Sequence, residues 1–518
     1  MIEALRDPTR YPHAVERVEV LETHISWVLL AGDYAYKVKK PVDLGFLDFS
    51  TLAARRFYCD EELRLNRRTA PRLYLEVVAI TGSESAPQVG GEGEAIEYAV
   101  KMRRFPQEAL LSRMAQGGTL GAAHVDALAR GIAAFHARIA RADQAGRFGS
   151  GAEVLAPAIQ NFDQIEALIG ADADVPELER LRGWTQDEHA RLRAAFEARK
   201  REGYVRECHG DLHLGNIALI DGVPTPFDGI EFNEALRWID VMSEIAFLVM
   251  DLHDRRLLRL AYRFLSAYLE DTGDYAGLAV LRFYLVYRAM VRAKVACIRV
   301  HQQGLPGEDR RRAEREYLDY LRLARALAPG PKRALIVMHG LSGSGKTTVA
   351  QYLLETYGAV RIRSDVERKR LLGLEAGART GSALGAGIYA AGLTARTYER
   401  LANLSRAILA AGYPAIVDAA FLARAQREVF AGLARDMDLP FAIAACEAPE
   451  AVLRERVASR EREAKDASEA GLNVLEHQLA TWEPLSDAER RSCVAFDSRE
   501  EPWAAATALA ERLGLPLS

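Results

Sequence analysis

The hydrophobic pattern of the N-terminal part predicts short strands and one helix before a long helical region. Apolar or alternating runs are separated by turns that contain glycine and small polar residues. The predicted strands are Ile25–Leu30, Tyr34–Lys39, Leu73–Ile80 and Ala95–Arg103, and a helix is predicted over Leu52–Arg67. From Gly121 to about residue 325 the apolar positions mostly follow the helical period, with an extended, turn-rich interruption over 204–232. This order is typical of an α+β domain.

The rhythm changes after the segment Leu327–Arg333. This segment, LAPGPKR, combines two prolines with a glycine and is the best predicted linker. Beyond it, strand-like apolar runs alternate with helical segments, which is typical of a parallel sheet with crossover helices. We therefore predict an N-terminal domain over 1–325 (small lobe about 1–105, helical lobe about 106–325), a linker over 326–333 and an α/β domain over 334–518.

A phosphate-binding motif opens the second domain. The segment Gly340–Thr347, GLSGSGKT, satisfies GxxxxGK[ST] between a predicted strand and a predicted helix. Small residues let backbone N–H groups point at phosphate oxygens, the lysine neutralises the outer phosphates, and the final hydroxyl is a ligand for Mg²⁺. We expect ATP and Mg²⁺ to bind here, with Thr347 as a metal ligand. The predicted nucleotide-binding residues are Gly340, Ser342, Gly343, Ser344, Gly345, Lys346, Thr347 and Thr348.

Candidate catalytic groups follow the next two predicted strands. Asp365 could accept the proton of an attacking hydroxyl, and Arg368, one helical turn later, could hold an anionic substrate. The alternative is that Ser364 or Asp365 only caps the following helix. Asp418 ends an apolar strand, where a carboxylate can lie near Mg²⁺ or substrate. A helix cap is the alternative for this residue too.

Two arginines further along suggest a lid over the phosphates. Arg456 and Arg460 are four residues apart and share one face of a predicted helix. Paired guanidinium groups could clamp the transferred phosphoryl group. A solvated charged helix is the alternative.

GLSGSGKTT, the SDxxR segment at 364–368, the strand-end Asp418 and the arginine helix together resemble the small P-loop kinases. That group includes gluconate kinase, zeta-toxin-type kinases and the kinase half of phage polynucleotide kinase. The resemblance covers about 330–500. It implies phosphoryl transfer from ATP to a hydroxyl, with Asp365 as general base and Arg456 and Arg460 in the lid. It does not identify the substrate.

The N-terminal domain contains a second catalytic pattern. The segment His209–Asn216, HGDLHLGN, fits HxDxxxxN, and Asp228 follows after a predicted hairpin. In this pattern Asp211 accepts the proton of the substrate hydroxyl, while Asn216 and Asp228 hold Mg²⁺. A kinase also needs a lysine on a strand and a glutamate on a helix. Lys37 is the expected lysine, with Lys39 on the same face of the strand as the alternative, and Glu62 or Glu61 is its expected partner.

HGDLHLGN followed by FDGIEF resembles the aminoglycoside phosphotransferase branch of the protein-kinase-like fold. The resemblance covers roughly 15–325 and implies a bilobal α+β domain, in which Asp240 is a buried structural brace. The chain departs from protein kinases because the loop before Lys37, at 22–26, has no GxGxxG. The order of the two domains resembles a bacterial fusion of an aminoglycoside-phosphotransferase-like domain with a P-loop domain.

Composition narrows the cellular setting. The 518 residues are 49% hydrophobic and 27% charged with a net charge of −4, which argues against non-specific duplex binding as the main role. The cysteines are scattered without CxxC, so we expect neither a zinc site nor a disulfide-linked partner. The segment Met1–Val20 contains no apolar core of the secretory type, so we expect no secretory signal. No apolar stretch approaches the length that a membrane span requires. The sequence thus favours a soluble cytoplasmic protein.

Three functional hypotheses remain open at this point. The first is a tandem phosphotransferase whose acceptor is a hydroxyl of a small molecule or a nucleic-acid end. In the second, the N-terminal half is a pseudokinase or nucleotide sensor that regulates the P-loop kinase, and the absent glycine-rich loop favours it. The third is a nucleotide-dependent switch without catalysis, against which the candidate bases Asp211 and Asp365 argue.

Overall fold

The computed structural model of the chain describes residues 1–43, 47–169, 175–302, 305–375, 378, 391–463 and 471–515, with the backbone alone described at 391 and 460–463. The chain forms two compact units. Unit 1 comprises Met1–Gln160 and Phe196–Asp251, and unit 2 comprises Asn161–Ala195 and Leu252–Ser518. Within the described ranges, no helix is long and apolar enough to cross a membrane.

The N-terminal part of unit 1 is an antiparallel sheet with one long helix. Its strands are β1 (Val18–Glu22), β2 (Ser26–Ala31), β3 (Tyr34–Lys39), β4 (Tyr74–Ser83), β5 (Ala86–Val89) and β6 (Ala95–Arg103), and helix α1 (Leu52–Asn66) lies between β3 and β4 in sequence. The strand order is β1-β2-β3-β6-β4-β5. Thr51 starts α1 by accepting a hydrogen bond from Ala54 N at 3.1 Å.

Strand β3 lies inside this sheet and is paired on both edges. It runs antiparallel to β2, with Lys37 opposite Val28, and antiparallel to β6, with Lys37 opposite Val100. Side chains alternate between the faces of a strand, so Lys37 and Lys39 lie on one face, together with Ala35. This face packs against α1, where buried Cys59 and partly buried Leu63 join the apolar cluster around Val100.

The rest of unit 1 is mainly helical and contains short hairpins. The elements are α2 (Leu111–Gln116), α3 (Ala122–Arg138), α4 (Gly151–Ile169), α5 (Val175–Arg201), β7 (Val205–Glu207), β8 (Ile217–Ile220), β9 (Val223–Pro226), α6 (Glu234–Arg237), β10 (Trp238–Asp240) and α7 (Val241–Asp254), and the boundary of the unit falls within α4, α5 and α7. The HGDLHLGN segment connects β7 to β8, and Asp228 follows the β8–β9 hairpin. Unit 1 is therefore an α+β fold in which an antiparallel sheet is followed by helices, which agrees with the α+β class that the sequence predicts.

Unit 2 is built around a parallel sheet. Its elements are α8 (Leu258–Thr272), α9 (Leu278–Val300), α10 (Gly307–Leu327), β11 (Leu335–His339), α11 (Lys346–Tyr357), β12 (Val360–Arg363), α12 (Ser364–Arg370), α13 (Ala391–Ala410), β13 (Ala415–Asp418), α14 (Arg424–Asp436), β14 (Phe441–Glu447), α15 (Glu450–Glu463), α16 (Leu472–Thr481), α17 (Asp487–Arg490), β15 (Cys493–Asp497) and α18 (Trp503–Leu513). The strand order is β12-β13-β11-β14-β15, with every pair parallel. Strands buried on both faces read as continuous apolar runs, which explains why LIVMH and AIVD were visible in the sequence.

Helix α8 packs against α11 and β12 in unit 2. Glu270 of α8 pairs with two arginines of β12, since its carboxylate lies 3.1 Å from both Arg361 Nη2 and Arg363 Nη1. Glu355 of α11 pairs with Arg263 of α8 at 2.6 Å. These ion pairs, together with the apolar packing, place α8 with the P-loop sheet.

The compact units therefore do not follow the predicted limits of 1–325 and 334–518, and the predicted linker over 326–333 is not the boundary between them. Helical periodicity shows that a helix has an apolar face, but it does not show which sheet covers that face. As limits of sequence domains, 1–325 and 334–518 stay a prediction.

We expect Glu270→Ala to lower the free energy of unfolding by about 3 kcal/mol, because two largely buried guanidinium groups lose their shared carboxylate. Urea denaturation of the full chain measures the change. Asp319→Ala is the matched control, since Asp319 pairs with Arg322 on the exposed surface of α10. Equal effects of the two substitutions would contradict a structural role for the Glu270 pairs.

Candidate functional site

Lys37 and Glu62 form a buried ion pair in unit 1. Lys37 Nζ lies 2.8 Å from Glu62 Oε1, which joins β3 to α1. The other oxygen, Glu62 Oε2, accepts a hydrogen bond from Lys39 Nζ at 2.7 Å. Glu61 points elsewhere and pairs with Arg64 at 2.9 Å. Of the alternatives in the sequence, the structure thus brings together Lys37 and Glu62, with Lys39 as a second partner.

Asp228 lies at the same place. Lys37 Nζ also donates to Asp228 Oδ1, and the Asp228 side chain is 41% exposed, so one edge of the cluster faces solvent. Asp228 has a φ of 62°, a left-handed conformation that is uncommon for a residue with a side chain. The Tyr74 hydroxyl accepts a hydrogen bond from Asp228 N at 3.0 Å and fixes this turn.

Each charged group of this cluster shifts the pKa values of its neighbours. Burial alone would raise the pKa of Glu62, but the Lys37 and Lys39 ammonium groups outweigh it and lower this pKa to about 2. Burial opposes the charge of Lys37, yet the Asp228 and Glu62 carboxylates raise its pKa well above the usual value. Both groups of the ion pair are therefore charged at neutral pH.

The HGDLHLGN loop brings Asp211 and Asn216 together. Asn216 Nδ2 donates to Asp211 Oδ2 at 2.8 Å and to the Asp211 carbonyl oxygen at 3.1 Å. His213 Nε2 lies 3.5 Å from Asp211 Oδ2. The amide nitrogen of Asn216 is thus turned to the aspartate, and the amide oxygen is the atom suited to a metal ion.

A buried glutamate holds this loop. Glu244 of α7 has no exposed surface, and its two oxygens accept hydrogen bonds from His209 N at 2.7 Å and Gly210 N at 2.9 Å. Asp251, two turns later, accepts a hydrogen bond from Leu214 N at 2.9 Å. No local pattern in the sequence marks either residue, because their partners lie more than thirty positions away.

Asp240 is the buried brace that the resemblance implied. Both of its oxygens bind the guanidinium group of Arg199, at 2.6 and 2.8 Å, and Oδ1 also accepts a hydrogen bond from Met242 N at 2.8 Å. It therefore connects α5 to the start of α7.

His136, Cys208 and Glu244 place one potential ligand atom each within 4.8 Å of one another. Both Glu244 oxygens already accept backbone hydrogen bonds, and burial raises the pKa of the Cys208 thiol well above its usual value. A protonated thiol is a poor metal ligand. The cluster fits internal packing better than a metal site.

The P-loop of unit 2 has the backbone conformation that its glycines allow. Gly340, Gly343 and Gly345 have φ values of 140°, 84° and 89°. A Cβ atom on Gly343 would lie 2.9 Å from the carbonyl oxygen of Leu453, and one on Gly340 would lie 2.4 Å from that of Cys446. Side chains are thus excluded both by conformation and by close packing.

Buried polar atoms beside the P-loop lack partners among the described residues. They are Ser344 Oγ, Asp418 Oδ2 and Ser498 Oγ, the last next to Gly345. Lys346 Nζ donates to the carbonyl oxygen of Leu341 at 2.8 Å. Thr347 and Thr348 stand in the first turn of α11, the former partly buried and the latter exposed. A buried carboxylate oxygen without a donor is costly, and a metal ion or a substrate hydroxyl would satisfy it.

The predicted acids follow neighbouring strands. Asp418 is the last residue of β13 and lies opposite Arg363 of β12, so Asp365 comes just beyond the same edge of the sheet. Strand β11, on the other side of β13, leads into the P-loop. Asp418 caps no helix, because α14 begins at Arg424 after Ala423, and the alternative of a helix cap is wrong for this residue.

Asp365 lies in the first turn of α12, whose N-cap is Arg363 without a side-chain cap bond. Neither Ser364 nor Asp365 is therefore the cap residue. Asp365 Oδ1 lies 3.3 Å from Arg368 Nη1, so the candidate base and the candidate anion-binding residue form an ion pair.

Arg456 reaches the P-loop from α15. Its Nη1 donates to the Gly343 carbonyl oxygen at 3.4 Å and its Nη2 to that of Ser498 at 3.1 Å. Arg456 is thus not simply part of a solvated helix face. The side chain of Arg460 lies outside the described residues.

Helix α16 contributes contacts that the sequence did not reveal. Gln478 Oε1 accepts a hydrogen bond from Ser342 N at 2.8 Å. The ring of Trp482, one turn later, stacks on His339 with centroids 6.2 Å apart and is 42% exposed. Burial lowers the pKa of His339 to about 4, so a neutral ring precedes the P-loop at physiological pH. No spacing rule marks such contacts in a sequence.

Residues 335–485 match the protein family described as AAA domain. The matched part includes the P-loop, Asp365, Asp418 and Arg456. The match and the parallel sheet agree in giving this part of the chain a P-loop nucleotide-binding domain.

Similar solved structures include a sugar kinase from Janibacter sp. HTCC2649, at 26% identity over 36% of this chain and 96% of that chain, with a TM-score of 0.28. An ethanolamine kinase from Plasmodium vivax is 10% identical over 60% of this chain and 84% of that chain, with a TM-score of 0.38. A choline/ethanolamine kinase family protein from Mesorhizobium loti is 10% identical over 60% of this chain and 92% of that chain, with a TM-score of 0.33. TM-scores this low do not establish a shared fold.

Two mycobacterial relatives match almost the whole chain. The uncharacterized proteins Rv2004c of Mycobacterium tuberculosis and Mb2027c of Mycobacterium bovis are each 31% identical over 475 residues, which cover 90% of this chain and 91% of each relative. The chain, which ends in a P-loop domain, therefore belongs to the same family as these two mycobacterial proteins.

Proposed function

We propose that the protein is an ATP-dependent phosphotransferase that acts on a hydroxyl group. One observation carries the proposal: the P-loop, Asp418 and Asp365 follow the three adjacent strands β11, β13 and β12 at one edge of the sheet. This edge is where open α/β sheets bind their ligands. It combines a phosphate cradle, a buried carboxylate without a donor and a candidate base.

In the P-loop half, the Lys346 ammonium group gives up its hydrogen bond to the Leu341 carbonyl oxygen and binds the outer phosphates of ATP instead. Thr347 and Asp418 fit Mg²⁺, because they offer hard oxygen ligands and Asp418 Oδ2 lacks a donor. Mg²⁺ supplies charge neutralisation of the phosphates. Asp365 takes the proton from the acceptor hydroxyl, and Arg456 approaches the phosphates from α15.

The acceptor is a small molecule or a nucleic-acid end that carries a hydroxyl. Arg368 lies 3.3 Å from the candidate base and would pair with an anionic group on this acceptor. An acceptor with its own phosphate or carboxylate is therefore favoured.

The N-terminal half has the groups for a second transfer site. Asp211 is the proposed base, and Asn216 and Asp228 are the proposed ligands of Mg²⁺. Lys37, oriented by Glu62, would bind the ATP phosphates, and the neighbouring Asp228 carboxylate would help to hold Mg²⁺.

A regulatory role for this half is the second candidate. The loop between β1 and β2 is short, and hydrogen bonds between Thr23 and Ser26 close it. It contains no glycine-rich segment that could cover the phosphates of a nucleotide. Weak cover of the phosphates favours nucleotide sensing over rapid transfer. ADP release that depends on Asp211 separates the two roles.

We expect Lys346→Ala to reduce the number of ATP molecules bound per full chain from two to one, because the P-loop loses the charge that neutralises the outer phosphates. Isothermal titration calorimetry with MgATP measures the stoichiometry. Lys332→Ala, at an exposed lysine before β11, is the control and keeps wild-type binding. Unchanged stoichiometry in Lys346→Ala would contradict the proposed P-loop site.

In the Lys346→Ala background, Asp211→Asn should slow ADP release by about 10²- to 10⁴-fold, the usual cost of losing a general base. MgATP binding should persist, because the amide keeps the shape of the side chain. Asp221→Asn is the control, at an exposed hairpin position with a φ of 50° that asparagine tolerates. Suppose that the Lys346→Ala chain binds ATP and that adding Asp211→Asn does not change its rate of ADP release. The N-terminal half is then better described as a nucleotide sensor than as a second transfer site.

Asp365→Asn in the full chain should keep MgATP binding by the P-loop half and abolish transfer from it, because the amide cannot accept the proton. Transfer is measured as ADP release, in an Asp211→Asn background, with a panel of sugars, sugar acids, nucleosides and oligonucleotides. Arg368→Ala should raise KM most for acceptors that carry a phosphate or carboxylate.

The matched control for Asp365 is Asp309→Asn. Asp309 also stands in the first turn of a helix and pairs with an arginine three residues later, Arg312, at 3.9 Å. It reproduces the structural role of Asp365 without the candidate site. Full transfer activity in Asp365→Asn would remove the catalytic assignment.

A further inference from the structure

Lys39 is a second lysine in the N-terminal cluster, and it has no exposed surface. Its Nζ lies 2.7 Å from Glu62 Oε2, contacts Glu231 Oε1 and stands 4.9 Å from the centre of the Phe49 ring. The contacts with Glu62 and Glu231 join β3, α1 and the segment after Asp228. A fully buried ammonium cannot reach a nucleotide, so Lys39 has a role different from that of Lys37.

The two lysines and the two glutamates balance their charges inside the protein. Lys37 and Lys39 carry two positive charges, and Glu62 and Glu231 carry two negative ones. Asp228 adds a carboxylate at the solvent edge. If Lys37 bound the phosphates of MgATP, Glu62 would lose part of its neutralisation, but its second oxygen would keep Lys39.

Asp228 and Glu231 are three residues apart in one short segment. The segment is anchored between them, since Gly229 N donates to Asn66 Oδ1 at 2.8 Å and Ile230 N to the His209 carbonyl oxygen at 2.9 Å. Lys39 holds the Glu231 end of this segment in place. It also holds Glu62, which is the ion-pair partner of Lys37. One buried ammonium thus connects the proposed metal ligand with the proposed phosphate-binding lysine.

We infer that Lys39 and Glu231 are a positioning pair, which holds Glu62 and the Asp228 segment in place for MgATP. The inference rests on the proposed nucleotide site in the N-terminal half and adds two residues that do not touch the nucleotide. Its distinguishing consequence is a dependence on Mg²⁺. Loss of the pair misplaces Asp228, so binding of MgATP suffers more than binding of ATP without the metal ion.

The test uses the full chain with Lys346→Ala, so that only the N-terminal site binds ATP. The double substitution Lys39→Met/Glu231→Gln removes one charge of each sign and keeps the remaining cluster balanced, which avoids a buried unpaired charge. Calorimetry compares ATP binding with Mg²⁺ and with EDTA. We expect MgATP affinity to fall about 10- to 100-fold, as when residues that orient metal ligands are replaced, and metal-free ATP affinity to change much less.

The matched control is Arg55→Met/Glu97→Gln. Arg55 and Glu97 also form a buried ion pair between α1 and the same sheet, at 2.8 Å, and they contact none of the four cluster residues. This control should lower the melting temperature without a selective loss of MgATP affinity. An equal loss in the control, or wild-type MgATP affinity in Lys39→Met/Glu231→Gln, overturns the inference.

Glu231→Asp keeps the charge and shortens the side chain by one methylene, so it gives an intermediate loss of MgATP affinity even where the double variant does not fold. Wild-type affinity in Glu231→Asp likewise overturns the inference. If the Lys346→Ala parent itself binds no ATP, the proposed nucleotide site in the N-terminal half is wrong and the positioning role falls with it. That result differs from the case in which the Lys346→Ala chain binds MgATP and substitution of Lys39 and Glu231 leaves the affinity unchanged.

Discussion

A carboxylate without exposed surface must be neutralised by positively charged donors inside the protein. In unit 1 this requirement applies to Glu62 and determines how β3 packs against α1. Its two oxygens bind Lys37 and Lys39 at 2.8 and 2.7 Å, so two alternate residues of β3 must both face α1. This fixes the register of helix against sheet. Loss of either the Lys37 or the Lys39 ammonium group would leave buried negative charge incompletely paired, which lowers the free energy of unfolding by several kcal/mol. The same contacts orient Lys37 toward Asp228.

Buried or largely buried carboxylates have a corresponding role in unit 2, where they bind pairs of arginines. Glu367 of α12 has no exposed surface and binds Arg370 and Arg400, which joins α12 to α13. Glu270 joins α8 to Arg361 and Arg363 on β12. Both glutamates flank Asp365 in sequence or in space, since β12 leads directly into α12. The candidate base therefore stands on a segment held by charges from two neighbouring helices.

The sequence was most informative where the chemistry lies in consecutive residues. The P-loop was predictable, because a phosphate cradle needs a fixed local spacing. HGDLHLGN predicted that Asp211 and Asn216 lie together, as they do in the structure, while their roles as base and metal ligand stay a prediction. The choice between Glu61 and Glu62 was not predictable, since one position turns a helix by about 100° and only the sheet shows which side is covered. Glu231, Glu244 and Gln478 were missed because their partners are more than thirty residues distant. The packing of α8 was missed for the same reason.

The two proposed metal sites differ in how the protein's own groups satisfy their carboxylates. Asp228 in unit 1 already has an ammonium partner, Lys37, at Oδ1, so a metal ion at this carboxylate would compete with an existing ion pair. Asp418 in unit 2 has an oxygen without a partner among the described residues, and Lys346 is held by the Leu341 carbonyl oxygen instead. Binding a cation at Asp418 thus removes an electrostatic cost, whereas at Asp228 it exchanges one favourable interaction for another. On this argument the P-loop half gains more from Mg²⁺, and the N-terminal half depends more on the phosphates that draw Lys37 away.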